Sequence, residues 1–304
     1  MKKFILKMFL MLVLIFVTLI IIILIPPNEN LYLAEIKEKS ELLNSIKSPR
    51  IILAGGSNLA FGIDSKKIEF EIGLPVVNMG LHAGTGLKFF LDNIKPYIGK
   101  DDILIISLEY SQFYNNNIYG GSPLIEVLNF VPEEINNLNV KQLKAIFKYF
   151  FEFIKWKNMS IIKEILNREG GVYSKGSFNK YGDVIAHLNL ESQDISKESI
   201  LNNCDKINYE SFKYLNNFFK YVENNGAKAY VSFPCIPQTQ YMKSLNKIEE
   251  IYEIFQENSF NLISTPNQYV FPDNFFFNTV YHLTQKGRNI RTEIIINDIK
   301  KILK

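Results

Sequence analysis

Residues 51–64, Ile-Ile-Leu-Ala-Gly-Gly-Ser-Asn-Leu-Ala-Phe-Gly-Ile-Asp, constrain this chain more than any other stretch. Four apolar, partly β-branched residues at 51–54 suit a strand covered on both faces, as in the parallel sheet of an α/β protein. Gly55 and Gly56 let the backbone turn sharply at the carboxyl edge of that strand and present Ser57 there, where open α/β sheets build their sites. The same residues also suit an ordinary Gly-Gly-Ser turn in which Ser57 or Asn58 caps the next helix.

The alternation continues downstream. A short surface helix is expected at 65–72 and a second strand at 74–79. The loop Gly80-Leu-His-Ala-Gly-Thr-Gly86 then carries three glycines into a helix at 87–94. Its amides can face a reacting oxygen at the edge that holds Ser57, or the glycines can serve the backbone alone. His82, in this loop, reads equally as a structural residue and as a substrate contact. A third strand at 102–108 runs into Glu109-Tyr110-Ser111 and brings a carboxylate to the same edge. A helix at 209–222, a fourth strand at 227–233 and a helix at 243–257 imply right-handed crossovers and a mainly parallel sheet.

With 304 residues, 47% of them hydrophobic, the chain can build one large core. The expectation is one α/β domain over residues 50–304, interrupted at about 115–205 by a helical insertion. The helix expected at 140–166 carries Phe147, Tyr149, Phe150, Phe151, Phe153 and Trp156 around most of its circumference, with lysines between them. A cap packed on the domain is favoured over contact with a membrane surface, because interfacial helices usually keep a cleaner polar face. His187, in a polar tract, is assigned no role.

Residues 8–25 form an unbroken uncharged run that ends at Pro26-Pro27, long enough to cross a bilayer. Lys2, Lys3 and Lys7 lie ahead of it or at its start and no basic cluster follows closely, so the amino terminus is expected in the cytoplasm and the domain outside. No small-x-small site follows, which favours a retained single-pass anchor in the cell membrane over a cleaved signal. Residues 1–27 are thus read as cytoplasmic tip and anchor, and 28–49, polar with helical character around 33–46, as a stalk. Without the three lysines the 34 basic residues fall to 31, equal to the 31 acidic ones, which excludes the basic excess of a duplex nucleic-acid binder. Cys204 and Cys235 lack metal or redox spacing, leaving a disulfide or two buried thiols. No metal and no other cofactor is expected.

Near the carboxyl terminus, His282 lies just before a helix that starts near Thr284, a natural N-cap. A histidine so placed can reach back to a serine on the first strand, with an acid a few residues earlier orienting its ring.

Together these residues resemble the SGNH (GDSL-like) hydrolase superfamily, especially its membrane-anchored bacterial branch associated with cell-surface polysaccharide. Gly-Gly-Ser-Asn at 55–58 is similar to the first block, with Ser57 as nucleophile. Asn78-Met79-Gly80 is similar to the second, implying an oxyanion donor at the Gly80 amide beside that of Ser57. Tyr-His-Leu-Thr-x-x-Gly at 281–287 is similar to the last, with His282 as base. Gly56 stands where the family usually has Asp. Ser-Leu-Glu-Tyr at 107–110 replaces the third block, Gly-x-Asn-Asp, removing a side-chain oxyanion donor. Glu109, Asn58 and His82 remain as oxyanion or substrate-binding candidates. The orienting acid is replaced by Asn278, with Asp273 the nearest carboxylate.

The resemblance implies a three-layer α/β/α sandwich with a mainly parallel sheet, behind one transmembrane helix. It also implies serine-dependent O-acyl esterase or acyltransferase chemistry on a cell-envelope polysaccharide or related glycan, with a membrane protein as a further partner. Because Asn278 orients an imidazole without stabilising its cation, the other reading is an inactive glycan-binding or scaffold protein of envelope polymer assembly or export.

Overall fold

The computed structural model describes the whole chain except residues 167–169, 202–203 and 304. It opens with α1 (Lys2–Leu24), an apolar helix long enough to cross a membrane. Residues 28–49 do not form a stalk. A 3-10 turn at Tyr32–Glu35 leads into α2 (Ile36–Ser45), and Tyr32, Leu33, Ala34 and Ile36 enter one apolar cluster with Phe61, Leu81, Phe89 and Leu124. The buried Lys39 ties α2 down by donating to the carbonyls of Asn78 at 2.7 Å and Gly182 at 2.6 Å. Apolar residues at helical spacing need a partner surface, and here the domain supplies it.

The domain begins with β1 (Ile51–Gly55), the one-turn α3 (Ser57–Ala60), α4 (Ser65–Ile72), β2 (Val76–Asn78), α5 (Leu87–Ile94) and β3 (Ile103–Ser107). The insertion contributes α6 (Ser122–Leu128) and α7 (Val140–Ile165). Then follow α8 (Tyr209–Asn224), β4 (Lys228–Ser232), β5 (Ile236–Pro237), α9 (Gln238–Glu257), β6 (Val270–Phe271) and α10 (Gln285–Ile302). β2 is shorter than expected because Pro75 has no N–H to give to a ladder. α9 starts five residues before its expected start, directly after Pro237, whose ring holds φ at −63° and ends β5.

Four strands form one parallel sheet in the order β2-β1-β3-β4. Every residue of β1 and β3 is buried, so both faces of the central strands are covered. The register pairs Gly55 with Ser107 and Ser107 with Ser232, which aligns the carboxyl ends of β1, β3 and β4. β2 and β3 lie on opposite sides of β1, so the chain reverses direction across the sheet between the ends of β1 and β3. A crevice forms outside such a reversal, and the residues after β1 and β3 line it.

α7 is capped reciprocally: Asn139 Oδ1 accepts from the Gln142 amide at 2.9 Å, and Gln142 Oε1 accepts from the Asn139 amide at 3.2 Å. It packs against α6, and its Phe153 and Ile154 cluster with Ile125. Cys204 and Cys235 are buried free thiols and form no disulfide.

Candidate active site

β1 delivers Ser57 to the crevice and β3 delivers Glu109. Gly55 and Gly56 are required there by space. A Cβ on Gly55 would lie 2.2 Å from the Ser107 carbonyl oxygen, and one on Gly56 would lie 2.7 Å from Glu109 Oε1 and 3.0 Å from the Ala83 Cβ. A side chain at position 56 has no room beside Glu109.

Glu109 is only 7% exposed, and its Oε1 accepts from the Ser57 hydroxyl at 3.3 Å and from the Asn58 amide at 3.4 Å. Burial pushes its carboxyl up to about 7, against the pull of the Asn58 and Ser57 hydrogen bonds and the Arg291 charge. A carboxyl poised there can take and return a proton at neutral pH.

His282 lines the same cleft, in the loop just before α10, whose N-cap Thr284 accepts from the Gly287 amide. Its ring lies flat on Phe61, centroids 3.8 Å apart and planes 7° from parallel, while His187 approaches Phe61 at 4.9 Å. Asn278 Oδ1 lies 3.0 Å from His282 Nδ1, and Asn278 Nδ2 donates to the Tyr173 hydroxyl at 2.8 Å. The Tyr173 hydroxyl also lies 3.2 Å from Nδ1, and because the Asn278 oxygen can only accept, the pair is satisfied with the ring proton on Nδ1 and the lone pair on Nε2. Burial, then the neighbouring His187 and His82, push the His282 pKa down to about 3, so the ring is neutral at physiological pH.

Ser57, Glu109, Tyr173, Glu198, Tyr281 and His282 line a cavity of about 480 Å³, with the exposed His82 at its rim. Hollows of about 780 and 610 Å³ lie along α2, but neither is lined by a histidine. The site is therefore assigned to the smaller cavity, where strand ends and titratable groups meet. Among the described residues, no group of three or more His, Cys, Asp or Glu is arranged to hold a metal ion.

Other expected site residues do different work. Asp273 is not at the histidine: its carboxylate accepts from the Thr239 amide at 3.2 Å and from the Thr239 hydroxyl, near the start of α9. The Gly80 amide donates to Asn78 Oδ1 at 2.9 Å, closing its own loop rather than facing the cleft. The Asn58 side chain is buried: Nδ2 donates to the Ser107 carbonyl at 3.1 Å, and Oδ1 accepts from Arg291 Nη2 at 2.9 Å and from the Ser107 hydroxyl at 3.3 Å. His82 Nδ1 accepts from the Gly84 amide at 2.9 Å, shaping the glycine loop.

Three residues near the site were not expected from the sequence: Tyr173, Phe61 and Arg291. Arg291 alone left a signal, since residues 288, 291, 295 and 299 recur at helical spacing and place two arginines on the buried stripe of α10. Tyr173 comes from the insertion and is fixed only by the tertiary fold. No family model, no curated protein and no solved structure matches the chain.

Proposed function

We propose that this chain is an SGNH-like serine esterase or O-acyltransferase, a three-layer α/β/α domain held outside the cytoplasmic membrane by α1 and acting on an acylated cell-envelope glycan. The observation that carries the reading is the Ser57 hydroxyl donating to a buried carboxyl with a pKa near 7, in a cleft shared with a neutral, oriented imidazole.

In this scheme Ser57 Oγ attacks the acyl carbonyl carbon as its proton passes to the Glu109 carboxylate. The bond between the acyl carbon and the sugar oxygen breaks, the departing oxygen takes the proton from Glu109, and the acyl group stays on Ser57. Water or a second sugar hydroxyl then loses its proton to Glu109 and attacks the acyl-serine, and Glu109 returns that proton to Ser57. Glu109 is the base in this scheme because it touches Ser57 and titrates near neutral pH, whereas an imidazole held near 3 is a weak proton acceptor. His282 Nε2 then accepts a hydrogen bond from the substrate hydroxyl in the same cleft.

A second reading, a glycan-binding protein without turnover, is favoured by one observation. The Gly80 amide, expected to face an oxyanion, and the Asn58 side chain, an oxyanion or substrate-binding candidate, are both engaged within the protein. Hydrolysis of a model acetyl ester by the purified full chain separates the two. The enzyme reading expects turnover that is lost in Ser57→Ala, and equal rates for parent and variant would leave only binding.

A further inference from the structure

α7 presents an exposed apolar stripe that the domain does not cover. Val140, Leu143, Phe147, Phe151, Met159 and Ile162 recur at steps of three, four and eight residues, and Phe147 and Phe151 are 86% and 77% exposed. Lys144, Lys148 and Lys155 are exposed beside them, and the helix carries six lysines against two glutamates. Its opposite side, with Gln142, Phe153 and Ser160, is buried.

The position of α1 indicates what lies over that stripe. Leu19 and Ile22, in the last two turns of α1, pack into the cluster formed by Ile125, Phe153 and Ile154, together with Phe150 and Trp156. At 1.5 Å per residue, Leu19 is only about 8 Å from the end of the helix at Leu24. The contact is therefore confined to one end of the apolar helix, within the depth of about 5–10 Å at which interfacial helices settle into a bilayer.

We propose that α7 lies in the plane of the membrane that α1 crosses, with its exposed stripe in the boundary between headgroups and acyl chains and its lysines on anionic headgroups. The proposal rests on α1 being a membrane span. Tyr149 and Trp156, beside the α1 contact, are residue types that settle at that depth. A second copy of the chain fits less well, since a two-fold pairing of this face would set lysines against lysines.

The test uses the full chain reconstituted in phosphatidylcholine–phosphatidylglycerol vesicles, with and without bromine on the acyl chains. Trp156 is the only tryptophan, so Phe151→Trp in a Trp156→Phe background reports position 151 alone. Emission from that position is expected to fall about twofold in brominated vesicles and to resist iodide. Phe16→Trp in the same background marks the span. Quenching by lipid at position 16 with iodide quenching at position 151 would overturn the proposal and leave the anchor standing. Protection of position 151 from both quenchers would mean that protein covers the stripe, which also overturns it. No lipid quenching at either position removes the anchor and the proposal together. The unsubstituted chain gives a reading through Trp156 that needs no variant: lipid quenching is expected, and its absence contradicts the proposal. Ester turnover measured in the same vesicles is independent of these outcomes.

Discussion

The hydroxyl of Ser57 and the carboxylate of Glu109 meet at 3.3 Å across the gap between β1 and β3, and the Asn58 amide reaches the same carboxylate oxygen at 3.4 Å. The contact exists because Gly56 leaves the space that Glu109 fills. A serine turn and a carboxylate from different strands are thus one unit, at the reversal point of the sheet.

Burial of Glu109 sets a pH dependence of stability. Its folded pKa of about 7 exceeds the ordinary value of 4.5, so between those limits the folded chain keeps a proton that the unfolded chain has released. This contribution lowers stability as pH rises from 4.5 to 7, and the loss persists above 7. Glu109→Gln is expected to stabilise the protein at pH 8 by on the order of 1–3 kcal/mol, with the gain vanishing near pH 4. Thermal unfolding at both pH values checks this, and an equal effect at both contradicts the buried-carboxyl explanation.

The fit between Gly56 and Glu109 predicts coupling. Gly56→Ala places a methyl group 2.7 Å from Glu109 Oε1 and should displace the carboxylate, lowering both stability and Ser57 reactivity. Glu109→Ala in the same chain removes the closest of its contacts, leaving only that with Ala83. A double-mutant cycle by denaturant unfolding should then give a coupling of about 1 kcal/mol or more. Additive single effects would show that the two positions do not share that space.

Much of this arrangement is legible in the sequence, for reasons that particular residues make plain. The apolar runs of β1 and β3, the glycines before Ser57 and the Thr284 cap after His282 are local signals, and local chemistry decides them. Hydrogen-bond partners set by distant residues are less accessible. Nothing around Gly80 announces that Asn78 Oδ1 takes its amide, nor that Asp183, 105 residues further on, accepts from Asn78 Nδ2. Asp273 and Asn278 look alike as neighbours of His282 in sequence, but the turn at residues 273–275 sends one to Thr239 and the other to the imidazole. Residues 28–49 read as a stalk because their polar residues outnumber their apolar ones, yet their apolar side chains pack into two clusters of the domain.

The Asn278 contact carries a titration prediction. Asn278→Asp sets a carboxylate 3.0 Å from Nδ1 and should raise the His282 pKa from about 3 by about 1–3 units, since a nearby negative charge favours the imidazolium. Proton NMR of the ring gives the pKa, and an unchanged value would mean that Asn278 does not hold the ring in solution.

Arg291 is fully buried and donates to the Asn58 carbonyl, to Asn58 Oδ1 and to the Ser107 hydroxyl, bracing the ends of β1 and β3 from behind. Arg291→Met leaves these acceptors without their donor and is expected to cost on the order of 3 kcal/mol. A denaturant midpoint close to that of the parent would show that the brace is dispensable.

The most direct test of the central claim is the rate at which a fluorophosphonate modifies Ser57 in the full chain as pH is varied, located by mass spectrometry. Modification at Ser57 should rise through a pKa near 7 and be lost in Glu109→Gln, while His282→Ala keeps the same pH profile. An unmodified Ser57 at every pH, or a Glu109→Gln profile that matches the parent, would contradict the assignment of Ser57 and Glu109 as nucleophile and base.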